Sequence, residues 1–383
     1  MGFLKNILFI IIAFTFLSCS KAIVFQKYEK EKDAIKMFGN YSERNFYEKI
    51  TIDEFLNEVW NSGTHGSYSN TSFIAYDTTL FVSDLSGRIT SFSIFSGEET
   101  GELKYNGEIE QTAVLNNSQL VFIVNNEKEK FSTLVIYDLL KGDETFTLIL
   151  KGKFNNEIVV KNEFVFLVSD FGKVFKISNY GQIEWEVDID TEIHSNPAAD
   201  DKFLYLATLD GKIIKLNLKD GAKRLETKIS DGFQSGISID DKFAYLGDID
   251  GIFFKISKNN GDILWEFDTM TKIVQTPGYD EENIFVGNLN GDLFALDKQT
   301  GQEKWCYQSR GLINTSPLIF ENIILQSNLL KTLDIIDKKN GELLNQIEYD
   351  SRCRTSPIYF RNRIFIGVDK GEVFCYSFEK KLD

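Results

Sequence analysis

Two histidines, three of the four cysteines and a series of Asp-Gly and Asn-Gly pairs are the residues here whose types could carry chemistry. His65 and His194 are the only histidines. They lie far apart in stretches expected to be loops, with no nucleophile or carboxylate at a spacing that suggests a triad. A metal site or a triad needs convergent ligands. Cys306, Cys353 and Cys375 form no C-x-x-C pair and are odd in number, so they read as buried or idle thiols. Asp210-Gly211, Asp250-Gly251 and Asn290-Gly291 are turn sequences, because tight hairpins need the positive φ that these pairs supply. Their regular spacing keeps them too far apart to share an ion. Trp185, Trp265 and Trp305 could stack on a sugar or cofactor, but their fixed place in each unit favours packing. No P-loop or GxGxxG occurs. The expectation is a non-enzymatic protein with no catalytic residue, metal or cofactor.

The elements that would position any site repeat every forty residues. Gly181, Gly221, Gly261, Gly301 and Gly341 fall on that step, as do Gly211, Gly251, Gly291 and Gly371, with Lys331 in the gap. Pro197, Pro277, Pro317 and Pro357 keep the same interval, and so do the three tryptophans, with Leu225 and Asn345 substituting. Each unit reads as four short strands joined by turns, as in TPGY, NIFVG, DLFALD and QEKWCYQ between Thr276 and Gln308. A period near forty with four strands per unit marks a β-propeller. Eight units are countable, the first two degenerate. The last ends at Phe378 without an outer strand, and LNEVWNS (Leu56–Ser62) has the pattern to supply it. The fold expected is therefore all-β: an eight-bladed propeller of four-stranded antiparallel blades over residues 56–378, closed by an N-terminal strand, with a tail at 379–383. Thr51-Ile52-Asp53-Glu54 is also a capping-box sequence, so a short helix before that strand is expected as an option.

The net charge of −15 argues against nucleic acid and against electrostatic binding to anionic lipid. Residues 1–18 read as a signal peptide: Lys5, then an apolar run of twelve residues from Asn6 to Leu17. As a helix that run is about 18 Å long, too short to span a bilayer core. Phe16-Leu17-Ser18-Cys19 resembles a bacterial lipobox, with Phe16 departing from the usual Leu, Val or Ile. The resemblance implies that Cys19 is diacylated and becomes the first residue. Ser20, not Asp, implies sorting to the outer membrane. The alternative is an ordinary signal peptide with a chance cysteine. Residues 19–55 are expected as a lipidated tether.

The unit, seen best in GDLFALDKQTGQEKW from Gly291, resembles the PQQ-type propeller repeat. With the lipoprotein signal and eight blades, the whole resembles the outer-membrane assembly factor family BamB, from about Glu58 to Phe378. The resemblance implies a periplasmic scaffold on the outer membrane that binds BamA and aids barrel-protein insertion, with unfolded barrel precursors as further partners. The family's BamA-binding loop corresponds here to DIDTEIHSNP, which offers Ile189 and Ile193 but no Arg. Within the less regular loops between blades, Arg310, Arg352 and Arg354 cluster, with Leu312 and Ile273 as apolar company. Arginine is enriched in binding hot spots; the alternative is scattered solvated charge. Two other functions stay open. One is a ligand- or glycan-binding propeller lipoprotein. The other is a PQQ-dependent quinoprotein, whose relatives use an adjacent Cys pair that this chain lacks.

Overall fold

A computed structural model describes residues 21–379 except positions 127 and 129. The expected signal peptide, Cys19 and most of the expected tail lie outside the described residues. Eight antiparallel sheets form the eight blades of a β-propeller, spanning residues 74–104, 114–151, 159–188, 198–228, 238–268, 278–308, 318–348 and 358–377 (blades 1 to 8), and the described residues contain no α-helix. Blade 6 is representative. Its strands are Gly278–Tyr279, Asn283–Gly287, Asp292–Asp297 and Glu303–Gln308, paired in that order from the axis outwards. The second and third strands are buried on both faces, whereas the outer strand is mostly exposed, with Trp305 buried and Tyr307 half-buried. Stacking between neighbouring blades covers both faces of the inner strands, which explains their continuous apolar runs. Gly211, Gly251 and Gly291 have φ of 80°, 97° and 92°, as the hairpins between second and third strands demand.

The tryptophans join blades. The indole N–H of Trp185, Trp265 and Trp305 donates to Leu218, Lys298 and Lys338 carbonyls in the next blade, at 3.2, 3.4 and 3.0 Å. Gly301 lies under Trp265, where an added Cβ would stand 2.5 Å from the ring. Ring closure uses the same device. Asn57–Gly63 pairs with Glu372–Ser377 as the outer strand of blade 8, and Trp60 Nε1 donates to the Ile94 carbonyl of blade 1 at 3.1 Å.

Alternating connections give the ring two faces. One carries the links between blades and the turns between second and third strands; we call it the loop face. The other is crossed by the N-terminal segment and is the strap face. This segment is the described part of the tether expected over residues 19–55. From Lys21 onward it is docked. Ala34–Ile35 adds a fifth strand to blade 1. Carbonyls of Lys36, Ser42, Glu43, Asn45 and Phe46 then accept from Leu115, Ala199, Ile239, Tyr279 and Ile319 N–H at 2.8–3.4 Å. Those donors are equivalent positions on the inner strands of blades 2, 4, 5, 6 and 7, so the chain travels around the axis in blade order. Its apolar residues Ile23, Ile35, Met37, Phe38, Phe46 and Ile52 are buried. No helix forms at Thr51. The Asn322 side chain takes both backbone groups of Ile52, at 3.1 and 2.8 Å, and holds the segment extended.

Candidate partner-binding site on the loop face

The links between blades are more regular than their sequences suggest. Ile193, Phe233, Ile273, Ile313 and Cys353 recur at forty-residue steps and are all 0% exposed. Each fills the space between adjacent blades under its loop. This corrects the expectation for three residues. Ile193 and Ile273 are plugs, and Ile189 is buried in the same inter-blade core as Ile193. Their side chains offer almost no surface on the loop face. The signal was in the sequence as one more apolar position on the repeat, but flanking polar residues that differ from loop to loop masked it.

The exposed loop tips are where blades differ. Arg310 stands where the other links have Asp190, Ser230, Met270 and Asp350, and it is exposed. Leu312, 45% exposed, stands where others have Glu192, Gly232, Lys272 and Arg352. Leu330, 53% exposed, occupies the turn position held elsewhere by Ser86, Asp210, Asp250, Asn290 and Lys370, and by the exposed Phe171 in blade 3. The two leucines are neighbours: Leu329 N–H donates to the Leu312 carbonyl at 3.0 Å, and Gly311 lies against the Leu330 side chain. Met270, 81% exposed, crowns the preceding link. Sequence reasoning missed Leu330 and Met270, because their neighbourhood depends on which turns share a face.

Arg352 and Arg354 belong to a different arrangement. Their Nε atoms reach Asp369 at 2.7 and 3.2 Å, and Ser67 of the link into blade 1 donates to the same carboxylate at 2.5 Å. Burial alone would raise the Asp369 pKa, but Ser67 and the two arginines hold it below the usual carboxylate value. These arginines brace the junction of blades 8 and 1. Arg310 has no ion-pair partner among the described residues.

The groups considered for chemistry do not converge. His65 lies 3.3 Å from Glu102 and His194 lies 3.0 Å from Glu192, in separate links. The described residues contain no cluster of three His, Cys, Asp or Glu able to hold a metal. Cys306, Cys353 and Cys375 are free thiols. Cys306 is exposed, yet partial desolvation with Asp292 and Glu303 nearby pushes it up to about 11; burial pushes Cys375 up to about 12 and raises Cys353, so none is a ready thiolate.

The axis carries a polar belt. Thr112, Glu157, Asn196, Ser316 and Ser356 are equivalent positions, each two residues before its blade's inner strand. Backbone N–H groups of Thr112, Glu157 and Ser316 donate to the next blade's side-chain oxygen at this level, at 3.0, 3.0 and 2.9 Å. Glu157 is the one carboxylate in the belt and also accepts from the Thr71 and Thr112 hydroxyls. Beneath it, buried Arg44 of the strap donates to the carbonyls of Pro197, Ile158 and Phe38. Burial raises the Glu157 pKa against the pull of Arg44, and burial lowers Arg44 to about 10.

Comparison with known proteins decides the family. The family model described as outer membrane protein assembly factor BamB matches residues 130–226 and 222–381, more than half of the chain. The chain belongs to the BamB family. Among solved structures it is similar to BamB from Moraxella catarrhalis, with a TM-score of 0.72 and 15% identity over 85% of this chain and 100% of that one. It is also similar to a europium-containing methanol dehydrogenase, with a TM-score of 0.77 and 9% identity over 90% and 98% of the two chains. The quinohemoprotein alcohol dehydrogenase of Comamonas testosteroni gives 0.76 and 10%, over 91% and 81%. Likeness at these identities shows the fold alone. No curated protein matches. BamB membership thus rests on the repeat sequence, and the dehydrogenases share the ring.

Proposed function

We propose that this BamB-family chain is a lipid-anchored periplasmic scaffold of outer-membrane β-barrel assembly. In this reading it binds a BamA-like component through the loop face of blades 5–7. Acylation at Cys19 supplies the anchor, and no catalytic step is assigned to it. The observation that carries the reading is the Arg310–Leu312–Leu330 cluster. The repeat acts as an internal control, since equivalent positions are mostly polar or charged elsewhere around the ring. A central apolar anchor with a neighbouring unpaired arginine is the composition of an interface hot spot. Strap residues Phe38 to Phe46 fill one mouth of the ring's centre, which favours partner binding on the open loop face over ligand binding along the axis.

The test is co-purification of the acylated protein in mild detergent, with and without Leu312→Glu. The wild type is expected to recover a barrel-assembly component. The variant is expected to lose at least about tenfold in affinity, the effect of removing a hot-spot contact, with unfolding stability within about 0.5 kcal/mol, as for other surface changes. Recovery of no barrel-assembly component by the wild type counts against the scaffold. Equal recovery by the variant counts against this face.

A further inference from the structure

The outer strand of blade 1 is unlike the others. In blades 3 to 5 the outer strand alternates between exposed and half-buried residues. In Glu99–Lys104 the middle residues Gly101, Glu102 and Leu103 are all buried. Residues 21–25 cover them. Glu102 N–H donates to the Lys21 carbonyl at 2.8 Å, and a Cβ on Gly101 would stand 2.8 Å from that same oxygen. Ile23 is 2% exposed among the side chains of blades 1 and 2, and its carbonyl accepts from the Tyr137 hydroxyl at 3.0 Å. Phe25 N–H donates to Leu139 of blade 2 at 2.7 Å. The chain is thus fixed in the groove between blades 1 and 2 from Lys21 onward. Only Ser20 lies between Lys21 and Cys19, a reach of at most about 7 Å.

A second observation falls in the same sector. The turn between third and outer strands ends in a glycine around most of the ring. Its exposed positions are Lys219-Asp220, Asn259-Asn260, Gln299-Thr300 and Lys339-Asn340 in blades 4 to 7. In blades 1, 2 and 3 they include Phe95, Leu140 and Tyr180, which are 52%, 44% and 82% exposed. Val24 of the docked segment, 53% exposed, lies against Gly142 of the Leu140 turn. Exposed apolar groups in consecutive blades, beside the point where the chain leaves towards an acylated cysteine, match a bilayer better than a folded partner. The fixed tether brings that edge to lipid without further recognition.

We infer that the rim of blades 1 to 3 rests on the membrane, so that the ring stands edge-on to the lipid surface instead of floating on a flexible leash. The inference rests on acylation of Cys19, as in the function proposed above. With the rim down, the Arg310–Leu312–Leu330 cluster on blades 6 and 7 points away from the lipid contact and stays open to a partner.

The test uses the full-length acylated protein in phosphatidylethanolamine–phosphatidylglycerol vesicles that carry nitroxide lipid. A fluorophore is attached through Leu140→Cys, or through Leu264→Cys on the outer wall of blade 5, each with Cys306→Ser to remove the exposed native thiol. Lipid nitroxide is expected to quench the label at position 140 severalfold more than at position 264. Equal quenching at the two sites, or stronger quenching at 264, overturns the orientation. Mass spectrometry of the N-terminal peptide reads the anchor separately. An unacylated peptide overturns the anchoring reading and the inference with it, whereas an acylated peptide with equal quenching overturns the orientation alone.

Discussion

At the centre of the ring Arg44 donates to three carbonyls from two blades and from its own segment, and it stands near Glu157 with both groups buried. Removing one partner of a buried charged arrangement leaves the other uncompensated and costs roughly 3–5 kcal/mol. Arg44→Ala is therefore expected to lower unfolding stability by about that much, measured by denaturant titration. Glu157→Gln keeps a hydrogen-bonding side chain in the belt and is expected to cost less. Equal stability of Arg44→Ala and wild type would show that the strap's arginine does not hold the centre. None of this could be read from the sequence. Arg44 is one charge in a charged stretch until its segment is seen to circle the axis. Arg310 and Leu312 were legible as an odd charge and its apolar neighbour, because they break the repeat. Ile189, Ile193 and Ile273 were misread as contacts, because an apolar residue in a loop looks the same whether it points out or in.

Among the elements, two devices repeat from blade to blade. One is the tryptophan over glycine. Gly301→Ala places a Cβ against Trp265 at a φ of 73°, and overpacking of this kind typically costs about 1–3 kcal/mol; calorimetry is expected to show the drop. The other is a lysine in one blade paired with an aspartate in the blade before: Lys258–Asp200, Lys298–Asp240 and Lys338–Asp280 at 2.9, 3.1 and 3.0 Å. Burial pushes the Asp280 carboxyl up, but Lys338 and the Glu282 N–H more than offset this and leave it below its ordinary value. A folded pKa below the unfolded one stabilises fully above the unfolded value. That contribution is lost as pH falls through the folded value. Asp280→Asn is expected to lower the melting temperature at pH 7, by an amount equivalent to about 3 kcal/mol for a nearly buried pair. The gap to wild type should narrow as pH falls below about 3.9, the unfolded Asp value, and through the lower folded value. A gap independent of pH would contradict the ion-pair account.

For the molecule as a whole, the N-terminal segment is part of the ring. It covers the outer strand of blade 1, circles the strap face and ends as the outer strand of blade 8. A chain beginning at residue 47 keeps the closing strand but loses buried Ile23, Ile35, Met37, Phe38 and Phe46. It is expected to stay folded by circular dichroism while its melting temperature falls by about 10 °C or more, given the several kcal/mol of apolar burial removed. An unchanged melting temperature would show that the strap is an appendage.

The forty-residue period determined the eight blades, their four strands and the positions of Trp185, Trp265 and Trp305, and the local pattern of LNEVWNS pointed to the closing strand found at Asn57–Gly63. A repeat states its geometry many times over, and each copy corrects noise in the others. The N-terminal segment is stated once. Its backbone carbonyls, and not a pattern of side chains, meet the inner strands, so no periodicity announces where it goes. The faces of the ring likewise belong to the tertiary structure. Leu312 and Leu330 become neighbours, and Arg352 and Arg354 become braces for Asp369, only once antiparallel strands assign each turn to one side.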